Sequence, residues 1–167
     1  MTIPMYIIGA SGEIGLVREC QKEVEKLGYK ITHDWTKSIK ESYQDKQLTP
    51  EEARGFALDD LLGVCGARVI WILVPPDGRS KGSWVEFGAA AACSLMYLAT
   101  LGVSRPNMKE EDYKKALGEK PMVIASGDTS ACIFLQLADK RFDTHPEALA
   151  YLKSLVPTPE KQLKVAT

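Results

Sequence analysis

Residues 67–74, Ala-Arg-Val-Ile-Trp-Ile-Leu-Val, constrain the fold of this chain more than any other stretch. A strand that is apolar on both faces, rather than alternating, belongs in the middle of a parallel sheet covered on both sides. Parallel neighbours need long crossover connections, usually helices, so the run calls for strands and helices in alternation. Tyr6-Ile7-Ile8 is a short buried strand ending in Gly9-Ala10-Ser11-Gly12. Residues 14–27 then carry Ile14, Val17, Val24 and Leu27 at helical spacing, closed by Gly28. Residues 29–35 read as a second strand, and the polar residues 36–48 as a loop over the site.

Thr49-Pro50-Glu51-Glu52 has the form of a capping box with proline at the first helical position, starting a helix that reaches about Val64. After the 67–74 strand, Pro75-Pro76-Asp77-Gly78 breaks the run, and an alanine-rich helix is predicted over 83–98. Residues 99–119 look like an insertion. A fourth strand over 122–125, a helix over 130–138 and a last helix begun by Thr144-His145-Pro146-Glu147 complete the pattern, with a polar tail over 157–167. The expectation is one domain over residues 1–156, an α/β doubly wound parallel sheet in a Rossmann-like three-layer sandwich.

Composition narrows the class of function. With 45% apolar residues in 167, there is ample material for one core, and 21 basic against 22 acidic residues leave a net charge of −1. That balance offers no broad electrostatic reason to bind a nucleic acid polymer. No apolar run reaches the roughly 18 residues of a membrane span. The opening residues, MTIPMYIIGAS, enter a strand at once and lack a signal peptide's regions, so a cytoplasmic location is expected. The four cysteines (Cys20, Cys65, Cys93, Cys132) include no C-x-x-C, and His33 and His145 are far apart. A zinc site or disulfide framework is not expected, the thiols being read as small buried side chains in a reducing compartment. No metal or other cofactor is expected either.

In sheets of this kind, ligands bind outside the carboxyl ends of the strands, where the strand order reverses. The loops at 9–13, 34–40, 75–83 and 125–130 should therefore meet at one crevice. Gly9-x-x-Gly12-x-x-Gly15 follows a strand and opens a helix, with Asp34 about 20 residues on, where a ribose-binding acid would sit in a dinucleotide site. The spacing is a variant of that fingerprint, and in 167 residues no second domain is expected for a hydride acceptor, so an NAD(P)-binding protein is the lesser alternative. A phosphate or sugar contact at Gly9, Ala10 and Ser11 is the broader one. Gly78-Arg79-Ser80-Lys81-Gly82-Ser83 lacks the Walker spacing, yet a loop with these residue types suits a monophosphate.

Two carboxylates carry most of the chemistry. Glu86 sits in the first turn of the alanine-rich helix among Val85, Phe87 and Ala89, which read as core residues. A charge there is costly unless it is paired or used, although an acid near a helix N-terminus is also favoured by the macrodipole. Asp60 shares one helix face with Phe56, Ala57 and Val64, whereas Asp59 points about 100° away into solvent. Two partly buried carboxylates near one crevice are what acid–base or nucleophilic work at an anomeric carbon requires.

Asp60-Leu61-Leu62-Gly63-Val64, a central strand, and then Gly82-x-x-x-Glu86-Phe87-Gly88-x-Ala90 resemble the nucleoside 2-deoxyribosyltransferase family, which also holds the 2'-deoxynucleoside 5'-phosphate N-hydrolases. Tyr6-Ile7-Ile8-Gly9-Ala10-Ser11 is similar to that family's first strand and turn. The resemblance spans about residues 5–155 and implies a flavodoxin-like fold with cleavage of an N-glycosidic bond through a covalent glycosyl-enzyme. It implies Glu86 as nucleophile, Asp60 as general acid or orienter, and a role for Tyr6 that its loose register leaves open. Transferases acting on free nucleosides have an acid where this chain has Ser80. The nucleotide-hydrolysing branch has a serine, which together with Lys81 and Gly82 implies a 5'-monophosphate pocket.

Ser126 is a second candidate phosphate or base contact, and Trp35 is read either as a stacking platform for a base or as core. The resemblance also implies a homodimer or higher homo-oligomer with shared sites. The expected partner is thus a small molecule, a nucleoside or nucleoside monophosphate, rather than a nucleic acid or a membrane. The competing class is a nucleotide-binding or sensor module that has kept the pocket and lost catalysis.

Overall fold

The structure is a computed structural model that describes residues 2–42, 48–75, 80–100, 120–130 and 132–156. The Pro76–Gly78 part of the expected break, nearly all of the 99–119 insertion, residues 43–47 of the expected loop and the 157–167 tail lie outside the described residues.

Five strands form one all-parallel sheet: β1 (Ile3–Ile8), β2 (Tyr29–Ile31), β3 (Val69–Leu73), β4 (Met122–Ser126) and β5 (Lys140–Phe142), in the order β2-β1-β3-β4-β5. The 67–74 run supplies β3, whose five residues are all buried between β1 and β4, with Trp71 opposite Ile7 on one side and Ile124 on the other. Among the described residues the α-helices are α1 (Ile14–Lys26), α2 (Trp35–Ser42), α3 (Pro50–Cys65), α4 (Lys81–Thr100) and α5 (His145–Leu155). α1 packs with α5, and α3 with α4.

The alternation of β1 shows how the layers are fed. Tyr6 points to the α3 side, where its ring approaches Gly63, while Gly9, of opposite parity, approaches Val17 of α1. The result is a three-layer α/β sandwich, as the periodicity led one to expect, and its strand order is flavodoxin-like, as the resemblance implied. Two expected capping boxes are formed: Thr49 with Glu52 at α3, and Thr144 with Glu147 at α5. Gly28 follows α1 with φ +95°, the left-handed conformation expected of a helix-terminating glycine.

Three local expectations are corrected. The second strand ends at Ile31, and the segment read as a polar loop begins with the helix α2. Asp34 starts that helix: its Oδ1 accepts from the Thr36 amide (3.2 Å) and from Thr36 Oγ1 (2.6 Å), an N-cap masked by the polarity of the helix it opens. The described residues of the helix expected over 130–138 do not form an α-helix. Ile133–Leu137 is a 3-10 turn in which Leu135 alone is buried, and the chain then adds the short edge strand β5, which its two exposed cations Lys140 and Arg141 had hidden. Finally, α4 starts at Lys81, which moves Glu86 from the first helical turn into the second.

Candidate active site

The strand order reverses between β1 and β3, because the chain leaves β1 for β2 on one side and returns to β3 on the other. At the carboxyl ends of these strands lies a cavity of about 750 Å3, a size suited to a small-molecule ligand. Its walls come from the turn after β1 (Gly9, Ser11, Gly12), from Trp35, from Asp60 of α3 and from the start of α4 (Ser80, Lys81, Gly82, Ser83, Glu86). Residues chosen from four separate stretches of sequence thus meet in one place.

Asp60 and Glu86 form the acidic part of the cavity wall, and Tyr6 lies behind it, outside the lining. Tyr6 is fully buried and rises from β1 towards α3. Helix α3 comes that close because position 63 is glycine: a Cβ there would stand 2.7 Å from both Tyr6 Cε2 and His33 Cβ. Asp60, one turn earlier on the same helix, is thereby held over Tyr6, and its Oδ1 lies 3.3 Å from His33 Nε2. Glu86 enters from α4. The Tyr6 hydroxyl and Glu86 Oε2 are buried, and neither makes an aligned hydrogen bond, although both stand near enough to Asp60 and to each other to perturb ionisation.

The electrostatics reflect that crowding. Burial pushes the Glu86 carboxyl up to about 8; the negative charge of Asp60 adds to this and the Tyr6 hydroxyl only partly offsets it. Burial also raises Asp60, opposed by His33 and Tyr6. Tyr6 is held far above the ordinary phenol range by burial and by the two carboxylates. Raised to about 8, the Glu86 carboxyl keeps its proton at neutral pH. The helix macrodipole does not account for Glu86, since its influence fades within the first turn. Nor does core packing, because the neighbouring Val85, read as a core residue, is 62% exposed.

Beside this acidic wall, Ser83 fastens α4 to the sheet: its buried Oγ donates to the Gly9 carbonyl (2.9 Å) and accepts from Ser80 Oγ (2.7 Å). Ser80 Oγ also accepts from the Ser83 amide at 3.5 Å. Ser80 therefore reaches the cavity as expected, but its hydroxyl proton is committed to Ser83. Trp35 combines its two readings, since its buried indole donates to the Ile7 carbonyl (2.9 Å) while the ring still forms part of the cavity wall.

Gly9 is accounted for by packing, as a Cβ there would stand 2.4 Å from Val17 Cγ2; Gly12 and Gly15 face open space, and none of the three has a positive φ. Ala10 lies outside the cavity wall, its carbonyl accepting from the Glu13 amide (2.9 Å).

Two expected ligand contacts are elsewhere. Asp34 is turned away from the cavity, with Gln21 Nε2 at 3.1 Å, Lys37 Nζ at 3.3 Å and the Thr36 bonds of the α2 cap. Burial pushes its carboxyl up, but those hydrogen bonds outweigh burial and hold it below the ordinary range. It ties α1 to the start of α2. Ser126 is fully buried in the sheet, where its Oγ accepts from Trp71 Nε1 (2.8 Å) and meets His145 Nδ1 (2.7 Å).

Sequence reasoning missed His33 as part of the site and read Ser83 only as a member of the phosphate-loop run, not as the tie between α4 and the sheet. Both act through contacts spanning 27 and 74 residues of sequence, and no local spacing signals such a partner.

The fold and the cavity define an α/β domain of flavodoxin-like strand order, with a half-buried carboxylate pair at the point where that order reverses. No protein-family model and no curated protein matches the chain. Among the described residues no helix is long and apolar enough to cross a membrane.

Proposed function

We propose that this cavity takes a nucleoside or nucleoside 5'-monophosphate and cleaves its N-glycosidic bond through a covalent glycosyl-enzyme on Glu86. The observation that carries this reading is the pair Asp60 and Glu86, half-buried in the cavity wall on adjacent helices, with the fully buried Tyr6 beneath them at the switch in strand order. The sequence resemblance to the deoxyribosyltransferase family points the same way.

The electrostatics suggest how the cluster works. The leaving base needs a proton and the anomeric carbon needs a nucleophile. A carboxyl pair sharing one proton supplies both: the proton passes to the base, by way of Asp60, as the C1'–N bond breaks, and the Glu86 carboxylate so released bonds to C1'. Water, or a second base, then attacks C1' and restores Glu86. Positive charge developing on the sugar stabilises the carboxylates at the moment when burial would otherwise disfavour them. His33 orients Asp60.

The monophosphate would lie at the start of α4, a helix of 20 residues, where the first amides and Lys81 favour an anion. Ser80 would help by shaping that turn rather than by donating its own proton. A Lys81→Met variant should raise KM for nucleoside 5'-monophosphates roughly 5- to 20-fold, with little change for free nucleosides. Equal losses on both substrates would remove the phosphate assignment.

Incubation with a panel of nucleosides and their 5'-monophosphates, with free base followed by chromatography, tests the activity itself. Tight monophosphate binding without base release would instead assign a binding module. Where base is released, the rate should trace a bell in pH. Its alkaline limb should lie near the value of about 8 set by Glu86, because the cluster there loses the proton destined for the base. The acid limb marks protonation of both carboxyls. A rate still rising through pH 8 to 9 would contradict the shared-proton scheme.

A further inference from the structure

We propose that Cys65 and Cys93 are a redox site, which closes reversibly to an intramolecular disulfide when a hydroperoxide oxidises Cys65. The two sulfurs, from different helices, already lie 3.3 Å apart. Cys65 is the last residue of α3 and is exposed; Cys93, on α4, is only partly so. The expectation of small buried thiols holds for Cys20 and fails for this pair.

Forming the bond requires the sulfurs to approach by about 1.3 Å, a movement that side-chain torsions and a slight helix shift can supply. The exposed Cys65 meets the oxidant, and its thiolate attacks the terminal peroxide oxygen to give the sulfenic acid as the O–O bond breaks, releasing an alkoxide, or hydroxide where the oxidant is hydrogen peroxide. Burial, reinforced by Cys65 alongside, pushes the Cys93 thiol up to about 11, so Cys93 remains protonated until that point. It then condenses with the sulfenic acid: the S–S bond forms, and the S–O bond breaks with release of water. Two thiols are oxidised and one hydroperoxide is reduced, so the electrons balance. A dithiol reductant reverses the step by exchange.

The bridge would tie together the two helices that carry Asp60 and Glu86. It lies outside the cavity, about 7 Å along α3 beyond Asp60 and about 10 Å along α4 beyond Glu86. It closes a loop across 28 positions of sequence, long enough to restrict the unfolded chain substantially. The site stands on the helix pair alone and does not depend on the proposed glycosidic chemistry.

The test uses the full reduced chain treated with dilute hydrogen peroxide, then denatured and alkylated. The expected product has lost two hydrogens, presents two alkylatable thiols instead of four, yields a Cys65–Cys93 linked peptide, and melts several degrees higher until dithiothreitol restores the original transition. In Cys93→Ser, dimedone should trap Cys65 as the sulfenic acid and peroxide should no longer raise the melting temperature. Cys65→Ser should form no internal bridge. A bridge between two chains, a bridge to Cys20 or Cys132, or dimedone labelling of Cys65 as heavy in the native chain as in Cys93→Ser would each overturn the proposal.

Discussion

Glu86→Gln should abolish base release, by a factor of about 10^3 or more, and yet melt at a higher temperature than the native chain in alkaline buffer. The folded Glu86 holds its proton to about 8, well above its ordinary value of 4.5. Between those values the unfolded chain has released a proton that the folded chain keeps, so stability falls as pH rises and the full penalty is present above about 8. The penalty is on the order of 4 kcal/mol. Glutamine carries no charge, so at pH 9 the variant escapes it, with a melting temperature higher by on the order of 10 °C in a domain of this size. Below about pH 4 the carboxyl is largely protonated in both states and the two proteins should melt together. Thermal melts across this range check the sign. A variant less stable than the native chain at pH 9 would mean that the buried carboxylate is compensated by a partner that the site geometry does not contain.

Gly63→Ala is expected to be the most damaging of the small substitutions. Its methyl would sit 2.7 Å from Tyr6 Cε2 and His33 Cβ, and α3 must back away or both side chains must shift. Overpacking of this kind costs about 2–3 kcal/mol, a fall in melting temperature of roughly 4 to 12 °C. Because the shift separates Asp60 from Tyr6 and Glu86, base release should also drop about 100-fold. Gly12→Ala and Gly15→Ala are the controls. A methyl at either position meets open space, and within helix α1 the Gly15 change should stabilise by about 0.5–1 kcal/mol. Equal damage at positions 12, 15 and 63 would show that the close approach of α3 to β1 is not what limits this site.

That contrast explains what could be read in the sequence and what could not. The three glycines that form a motif are conspicuous, but only Gly9 is required by packing, against Val17; the glycine that shapes the site, Gly63, is significant only through residues 57 and 30 positions away. The layers were legible because they are written in local periodicity: β3 in an unbroken apolar run, α3 and α5 in their capping boxes, α1 in its closing glycine. Asp60 and Glu86 were legible as charges out of place on apolar stretches. Asp34 misled because an acid after a strand looks alike whether it receives a sugar or, as here, the amide of Thr36. Ser126 misled for a related reason, as a strand's last residue can face the crevice or, as here, the indole of Trp71. β5 and α2 were lost because Lys140, Arg141 and the polar residues of 36–42 disguise short elements whose existence depends on their neighbours.

The brevity of the two outermost strands has a consequence for how copies of this chain could associate. β2 and β5 are three residues each and carry exposed lysine or arginine side chains, Lys30 on one and Lys140 with Arg141 on the other. Short cationic margins give an incoming strand little to pair with and repel a copy of themselves. Continuous ribbons built across molecules are thereby disfavoured, and any self-assembly is directed to the helical flanks, where Leu58 and Leu62 of α3 and Leu95 and Met96 of α4 stand in contact with water.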